Sequence, residues 1–203
     1  MQILSPIIRK IRRHRAERQL KHGRAVFLSG DSFPKDAGIE IAIETRLSPL
    51  FGDWCRQADL NERQHAATFT TDIPTRLEGL QRELDGNQKR MAGVLFSRSS
   101  GGRVASLHAL NHSVRAVVCL GYPFKRPKQA PEPARYEHLR DITVPTLILQ
   151  GQTDAYSTFE QAKAYPVSSS VTILPVETDH EFQLSPEAWD AVAAEIRRFL
   201  LEI

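Results

Sequence analysis

From residue 24 onward, short apolar runs alternate with longer stretches of helical spacing. Ala25-Val26-Phe27-Leu28-Ser29 is an apolar run that ends in the turn signal Gly30-Asp31-Ser32. Ala66-Ala67-Thr68-Phe69-Thr70 reads as a second strand. Ala92 to Phe96, Val114 to Leu120, Pro145 to Gln150 and Ser170 to Leu174 follow. These later runs are continuous, without polar alternation, as expected for strands covered on both faces. Between them, residues 38–51 and 74–85 carry helical periodicity, with Pro74 near a helix start and Asp85-Gly86 as a stop. Residues 104–110 read as a helix, and Ser185-Pro186-Glu187 opens a last one with Ser185 as its N-cap. About six strands alternating with helices predict a doubly wound, mostly parallel sheet.

Ahead of the first strand, Ile3, Ile7, Ile8, Ile11 and Leu20 lie among arginines at helical spacing, which predicts a basic amphipathic helix over residues 1–23. The rest of the chain, residues 24–203, is then one α/β domain, consistent with a total of 203 residues. Residues 1–24 hold eight Lys or Arg against Glu17 alone, a net of +7, so the remainder is near −4 within a total of +3. The basic character belongs to one segment, and a nucleic-acid partner is not expected for the domain. The helix is expected to dock its isoleucines on the domain or on a second subunit in a homo-oligomer. An acidic partner, an anionic membrane or a cleaved presequence are the other uses of such a helix. Cys55 and Cys119 stand in no metal or redox spacing, so a reducing, cytoplasmic setting is the simplest expectation. No run of about 18 apolar residues suits a transmembrane segment. The basic, Pro-rich stretch from Tyr122 to Pro133 reads as a surface loop.

In a parallel sheet, ligands gather beyond the carboxyl ends of the strands. After the third run stands Ser97-Arg98-Ser99-Ser100-Gly101-Gly102-Arg103, leading into a helix. Small residues on both sides of Ser99 suit a sharp strand-to-helix turn that exposes a nucleophilic hydroxyl. Such a turn aims the Ser100 N–H and the positive helix end at a developing oxyanion. A plain Ser/Gly-rich turn or anion loop is the alternative. Serine needs a base. Asp154 in Gly151-Gln152-Thr153-Asp154 and His180 in Glu177-Thr178-Asp179-His180-Glu181-Phe182 follow the last two runs. The order Ser, Asp, His at successive strand ends is that of an α/β-hydrolase triad.

From about Met91 to the C-terminus the chain resembles small α/β-hydrolases of the dienelactone-hydrolase-like group, especially the testis-expressed-30-like branch. The resemblance is carried by Ser97 to Arg103, Leu120-Gly121-Tyr122-Pro123-Phe124, Val144-Pro145-Thr146-Leu147 with Gly151 to Asp154, and Asp179-His180-Glu181-Phe182. It implies a compact α/β-hydrolase fold and a serine hydrolase acting on a small acyl substrate, with Ser99, His180 and Asp154 as triad. Where the family carries His-Gly after its first strand, this chain has Ser29-Gly30-Asp31-Ser32. The second oxyanion donor would come from the backbone N–H of Asp31 or Ser32, beside that of Ser100. The first two strands of larger hydrolases are replaced by the basic helix.

Tyr122, Phe124, Tyr156 and Phe182 follow strand ends and are candidate pocket walls. Arg98 and Arg103 flank the nucleophile, to attract an anionic acyl group or simply to face solvent or acids. No cofactor is implied, since a triad carries the whole reaction. No metal is expected, because the seven histidines lack ligand spacing. Two rival readings stand. Gly30-Asp31-Ser32 is also the opening signature of the SGNH or GDS-type esterases, with Ser32 as nucleophile and His180 again as base. A catalytically weak α/β-hydrolase fold serving as a binding or scaffold protein is the other.

Overall fold

The computed structural model describes residues 6–65, 68–86 and 91–203. Six strands form one all-parallel sheet: β1 (Gly23–Leu28), β2 (Asp53–Cys55), β3 (Met91–Arg98), β4 (Ala116–Leu120), β5 (Thr146–Gly151) and β6 (Val171–Val176), in the order β2-β1-β3-β4-β5-β6. Among the described residues seven α-helices connect or flank them. These are α1 (Pro6–His22), α2 (Ala37–Leu47), α3 (Gln57–Arg63), α4 (Ile73–Asp85), α5 (Ser100–Asn111), α6 (Phe159–Ala162) and α7 (Pro186–Glu202). None is long and apolar enough to cross a membrane.

The continuous apolar runs are explained by what covers each face. Along a strand, side chains alternate between faces. Ala25, Phe27, Val94, Phe96, Val118 and Leu149 point to the side covered by α1, α2 and α7, where Leu20, Ile43, Trp189 and Ile196 meet them. Val26, Leu28, Leu95 and Val117 point to the side covered by α3, α4 and α5, against Leu60, Leu80, Val104 and Ala109. Both faces are dry, so no polar alternation survives. The helix starts follow local chemistry. The Asp72 side chain accepts from Thr75 N at 3.0 Å at the head of α4, and the Ser185 hydroxyl accepts from Ala188 N at 3.2 Å at the head of α7.

Three elements differ from the sequence expectation. The helix anticipated over 38–51 ends at Leu47, and residues 48–50 tighten into a 3-10 turn. Pro49 cannot donate to the preceding turn and disfavours helix at Ser48. The second strand is Asp53–Cys55, pairing with β1 from Arg24↔Asp53 to Val26↔Cys55. Of the run 66–70, residues 66 and 67 lie outside the described residues, and 68–70 form no strand. The Phe69 ring lies 5.2 Å from that of Phe33, so its apolar character serves loop packing. Third, Ile8 and Ile11 of α1 do not dock on the domain, and Ile3 lies outside the described residues. Ala16 and Leu20 are buried, whereas Ile8 and Ile11 are exposed.

The topology locates the site. The chain runs from β1 to β2 on one side, then crosses β1 to place β3 and every later strand on the other. The order reverses between β1 and β3, and the crevice beyond their carboxyl ends is where such sheets bind ligands. The β1 exit is tied from below. Ser29 N donates to Gln57 Oε1 at 3.0 Å, and Gln57 N donates to Glu40 Oε1 at 3.1 Å. Burial pushes the Glu40 carboxyl up from 4.5 to about 7. A carboxyl raised in the folded state favours folding while protonated, and that contribution is lost as pH rises through about 7. Glu40→Gln is therefore expected to raise the unfolding free energy from urea titration above that of wild type at pH 8, by on the order of 2–3 kcal/mol. The two proteins should converge at pH 4.5; a difference of equal size at both pH values would contradict this.

Candidate active site

Ser99 stands at the β3 exit, with its backbone at φ 50° and ψ −121°, a strained region for a non-glycine residue. The strain persists because α5 starts at once and lies close against the sheet. A methyl group at Gly101 would sit 2.0 Å from the Leu28 carbonyl oxygen, and one at Gly102 would sit 2.3 Å from Cys119 Sγ. Only glycine fits there. Ser97, which holds the place of a glycine in the related motif, is accommodated because its hydroxyl donates to Val118 O at 3.0 Å.

The turn aims the half-buried Ser99 hydroxyl at His180, Oγ to Nε2 3.0 Å. On the other edge of the ring, Nδ1 lies 2.8 Å from Asp154 Oδ2. Asp154 is buried at the β5 exit, and each of its oxygens is occupied. Gln150 Nε2 donates to Oδ2 at 3.0 Å, and Tyr156 N donates to Oδ1 at 2.7 Å. The Tyr156 ring stacks on the imidazole with centroids 4.0 Å apart. The structure thus brings together three residues from three strand ends as a hydroxyl, an imidazole and a carboxylate in series. Such a series can activate the hydroxyl by moving its proton to the imidazole.

On the β1 side, Gly30 backs onto the nucleophile: a methyl there would lie 3.2 Å from Ser99 Cβ and 2.9 Å from Asp36 Oδ2. Asp36 accepts the Gly30 N–H at 3.0 Å, which removes that group as a donor to a ligand. Asp31 and Ser32 line the cleft beside Ser99 and Ser100. The Asp31 side chain is tied to the elbow, because Ser100 Oγ donates to Asp31 Oδ1 at 2.5 Å. Ser32 is exposed on the far lip, and among the described residues no hydrogen bond joins it to His180. The first backbone N–H groups of α5 have no partner within the helix, and Ser100 supplies the foremost of them.

The cleft holds about 320 Å³ beside Ser99, His180 and Tyr156, with Pro123, Arg126 and Arg135 among its walls. Two expected walls are elsewhere. Tyr122 and Phe124 are buried in a cluster with Leu139, Ile148 and Ala162, while the intervening Pro123 faces the cleft. Tyr122 acts from behind: its hydroxyl donates to Arg135 O at 2.7 Å and holds that wall in place. Phe182 is also buried, against Trp189, and borders a neighbouring cavity of about 360 Å³. Of the four aromatic residues expected at the pocket, Tyr156 alone lines this cleft.

Arg98 borders the cleft but is not solvent-facing. It is 3% exposed, Nη2 donates to the His180 carbonyl, and Nη1 lies 3.1 Å from His180 Nε2. Burial holds its pKa below the ordinary arginine value. Arg103 is half-buried, with Nη2 3.5 Å from Ala134 O.

Sequence reasoning missed Arg76, Asp36 and Gln150. Arg76 on α4 is buried, donates to Ser100 Oγ at 3.1 Å and to the Ser29 carbonyl, and so ties the β1 exit to the elbow. Burial lowers it to about 10, with Asp31 at 3.6 Å opposing the shift. Its signal was a charge on the buried face of α4, with Gly79, Leu80 and Glu83. Gln150 is a polar residue ending an apolar run; it also donates to Ser157 O and accepts the Tyr122 N–H. Gln150→Leu fills the volume but leaves buried groups unpaired. It should lower stability by about 1–3 kcal/mol, read from urea midpoints, and a loss below a few tenths would contradict these bonds' importance.

A six-stranded parallel sheet carrying this constellation at its switch point is the design of the α/β hydrolases as a class. The sequence agrees: residues 60–199 match the family described as alpha/beta hydrolase domain, and the chain belongs to that family. Hydrolysis is the chemistry of the family at large. No curated protein matches the sequence. Among solved structures, a protein of the alpha/beta hydrolase superfamily from Xanthomonas campestris pv. campestris is similar, with 22% identity and a TM-score of 0.61 over 88% of this chain and 98% of that one. The esterase domain of a Rhodothermus marinus protein gives 18% identity and 0.63 over 89% and 88%. A monoacylglycerol lipase of Paleococcus ferrophilus gives 13% and 0.66 over 90% and 95%. At these identities the likeness is one of fold.

Proposed function

We propose that the protein is a serine hydrolase that cleaves a small ester or related acyl substrate through a covalent acyl-enzyme. The observation that carries this reading is the unbroken series from Ser99 Oγ to His180 Nε2 at 3.0 Å and from His180 Nδ1 to Asp154 Oδ2 at 2.8 Å. Membership of a hydrolase family supports it. The finer placing, in the dienelactone-hydrolase-like group, rests on the motifs from Ser97 to Arg103 and Gly121 to Phe124.

In the first half-reaction Ser99 Oγ bonds to the acyl carbonyl carbon while its proton moves to His180 Nε2. The carbonyl π pair moves onto oxygen, where the Ser100 N–H and an N–H of Asp31 or Ser32 receive it. As the carbonyl re-forms, the bond to the leaving alkoxide breaks and His180 gives it the proton. Water then repeats the sequence on the acyl-enzyme, with His180 first taking and then returning a proton. Asp154 holds the ring and offsets the imidazolium charge. A cleft of about 320 Å³ suits a small acyl group.

Purified protein assayed on a panel of short-chain nitrophenyl esters and thioesters is expected to show turnover. Ser99→Ala should abolish it, by about 10⁴-fold or more, with an unchanged thermal midpoint. Ser32→Ala should retain most of it. Equal rates for wild type and Ser99→Ala would sink the proposal, and loss confined to Ser32→Ala would move the nucleophile to the β1 loop.

A further inference from the structure

We infer that Arg98 is a positioning residue that keeps the proton of neutral His180 on Nδ1, independently of Asp154. A guanidinium has N–H donors and no acceptor. Its Nη1 lies 3.1 Å from His180 Nε2, so the ring nitrogen that faces it is the bare one. The Ser99 hydroxyl reaches the same nitrogen at 3.0 Å. The hydroxyl can donate or accept, so it is the guanidinium contact that selects the tautomer with hydrogen on Nδ1 and a lone pair on Nε2, the one a general base needs.

Arg98 is built in rather than merely nearby. Its Nη2 donates to the carbonyl of His180 itself, so the cation grips the backbone of the residue whose ring it faces. The Phe182 ring supports the guanidinium at 5.7 Å. Over it lies Gly121, at φ +67°, where a methyl group would approach Nη1 to 3.0 Å. At 3% exposure its N–H groups cannot turn to bulk water instead. Arg98 also immediately precedes Ser99, so nucleophile and tautomer lock share one strand end. When the Ser99 proton reaches Nε2, that nitrogen becomes a donor and Nη1 must release it, while Nη2 keeps its hold on the carbonyl. The importance of this for turnover rests on the serine-hydrolase reading; the tautomer does not.

In a Ser-His-Asp triad without such a cation, exchanging the aspartate for asparagine costs about 10⁴-fold because the ring adopts the wrong tautomer. With Arg98 in place the wrong tautomer would set donor against donor. The test is long-range proton–nitrogen NMR of ¹⁵N-labelled full-length protein at a pH where the ring is neutral, with the His180 signals assigned from a His180→Gln control. Wild type and Asp154→Asn are both expected to show a protonated Nδ1 and a bare Nε2. Asp154→Asn combined with Arg98→Met should lose that preference, and Arg98→Lys in the same background should restore it. In parallel, ester turnover should fall less than about 10²-fold for Asp154→Asn and about 10⁴-fold for the Met double variant. A proton on Nε2 in Asp154→Asn, or on Nδ1 in the Met double variant, would overturn the inference. If the Met variant does not fold, the Asp154→Asn spectrum alone decides. If no ester is turned over, the spectra still decide, which separates this inference from the proposed activity.

Discussion

The close seating of α5 on the sheet is the constraint from which the rest of the site follows. Gly101 and Gly102 let the helix approach until any side chain would overlap the Leu28 carbonyl and Cys119 Sγ. At that distance β3 cannot pass smoothly into the helix, and the chain turns through Ser99 at φ 50°. The turn lifts the hydroxyl out of the sheet and sets Ser100, the first residue of α5, at the same cleft. A residue in this conformation is disfavoured by order 1–3 kcal/mol and persists because the surrounding packing over-determines it. Here that packing is the apolar filling on both faces, from Leu95 and Val104 on one side to Phe27 and Phe96 on the other.

Around this turn the protein buries more charge than a simple triad needs. Arg98, Arg76, Asp154 and His180 are all buried within the same region, where unpaired charges would be strongly unfavourable. Each is used as a tie between separate elements. Arg76 joins the β1 exit to the elbow, Arg98 joins the elbow to the His180 loop, and Gln150 joins Asp154 to the start of the Pro-rich wall through Tyr122 N. The same ties hold the loop Gly30-Asp31-Ser32 beside the elbow. Asp36 fixes Gly30 N, and Ser100 Oγ fixes the Asp31 side chain.

The parts legible in the sequence were those with a local physical signature. Continuous apolar runs marked β1 and β3 to β6, since both faces of each are covered. Serine at Ser185 announced a cap, and the small residues around Ser99 announced a sharp strand-to-helix turn. Ser99, Asp154 and His180 could be picked out because order along the chain and position after strands are one-dimensional facts, and the structure brings the three side chains together. β2 was not legible: Asp53-Trp54-Cys55 is three residues at a sheet edge, too short for a period, while Phe69 drew attention to residues 68–70, which form no strand, and its ring packs against Phe33. Tyr122 and Phe124 were misplaced because nearness to a strand end does not say which way a side chain turns; Pro123 faces the cleft and its neighbours turn inward. Arg76 found its partners 24 and 47 residues away, beyond any local pattern.

The central claim is that Ser99, and no other hydroxyl, is activated by His180. The most direct measurement is reaction of the native protein with a fluorophosphonate, followed by proteolysis and mass spectrometry of the adduct. The account predicts stoichiometric modification of Ser99, abolished in His180→Ala. Modification of Ser32 in its place, or none on folded protein at high probe concentration, would contradict it.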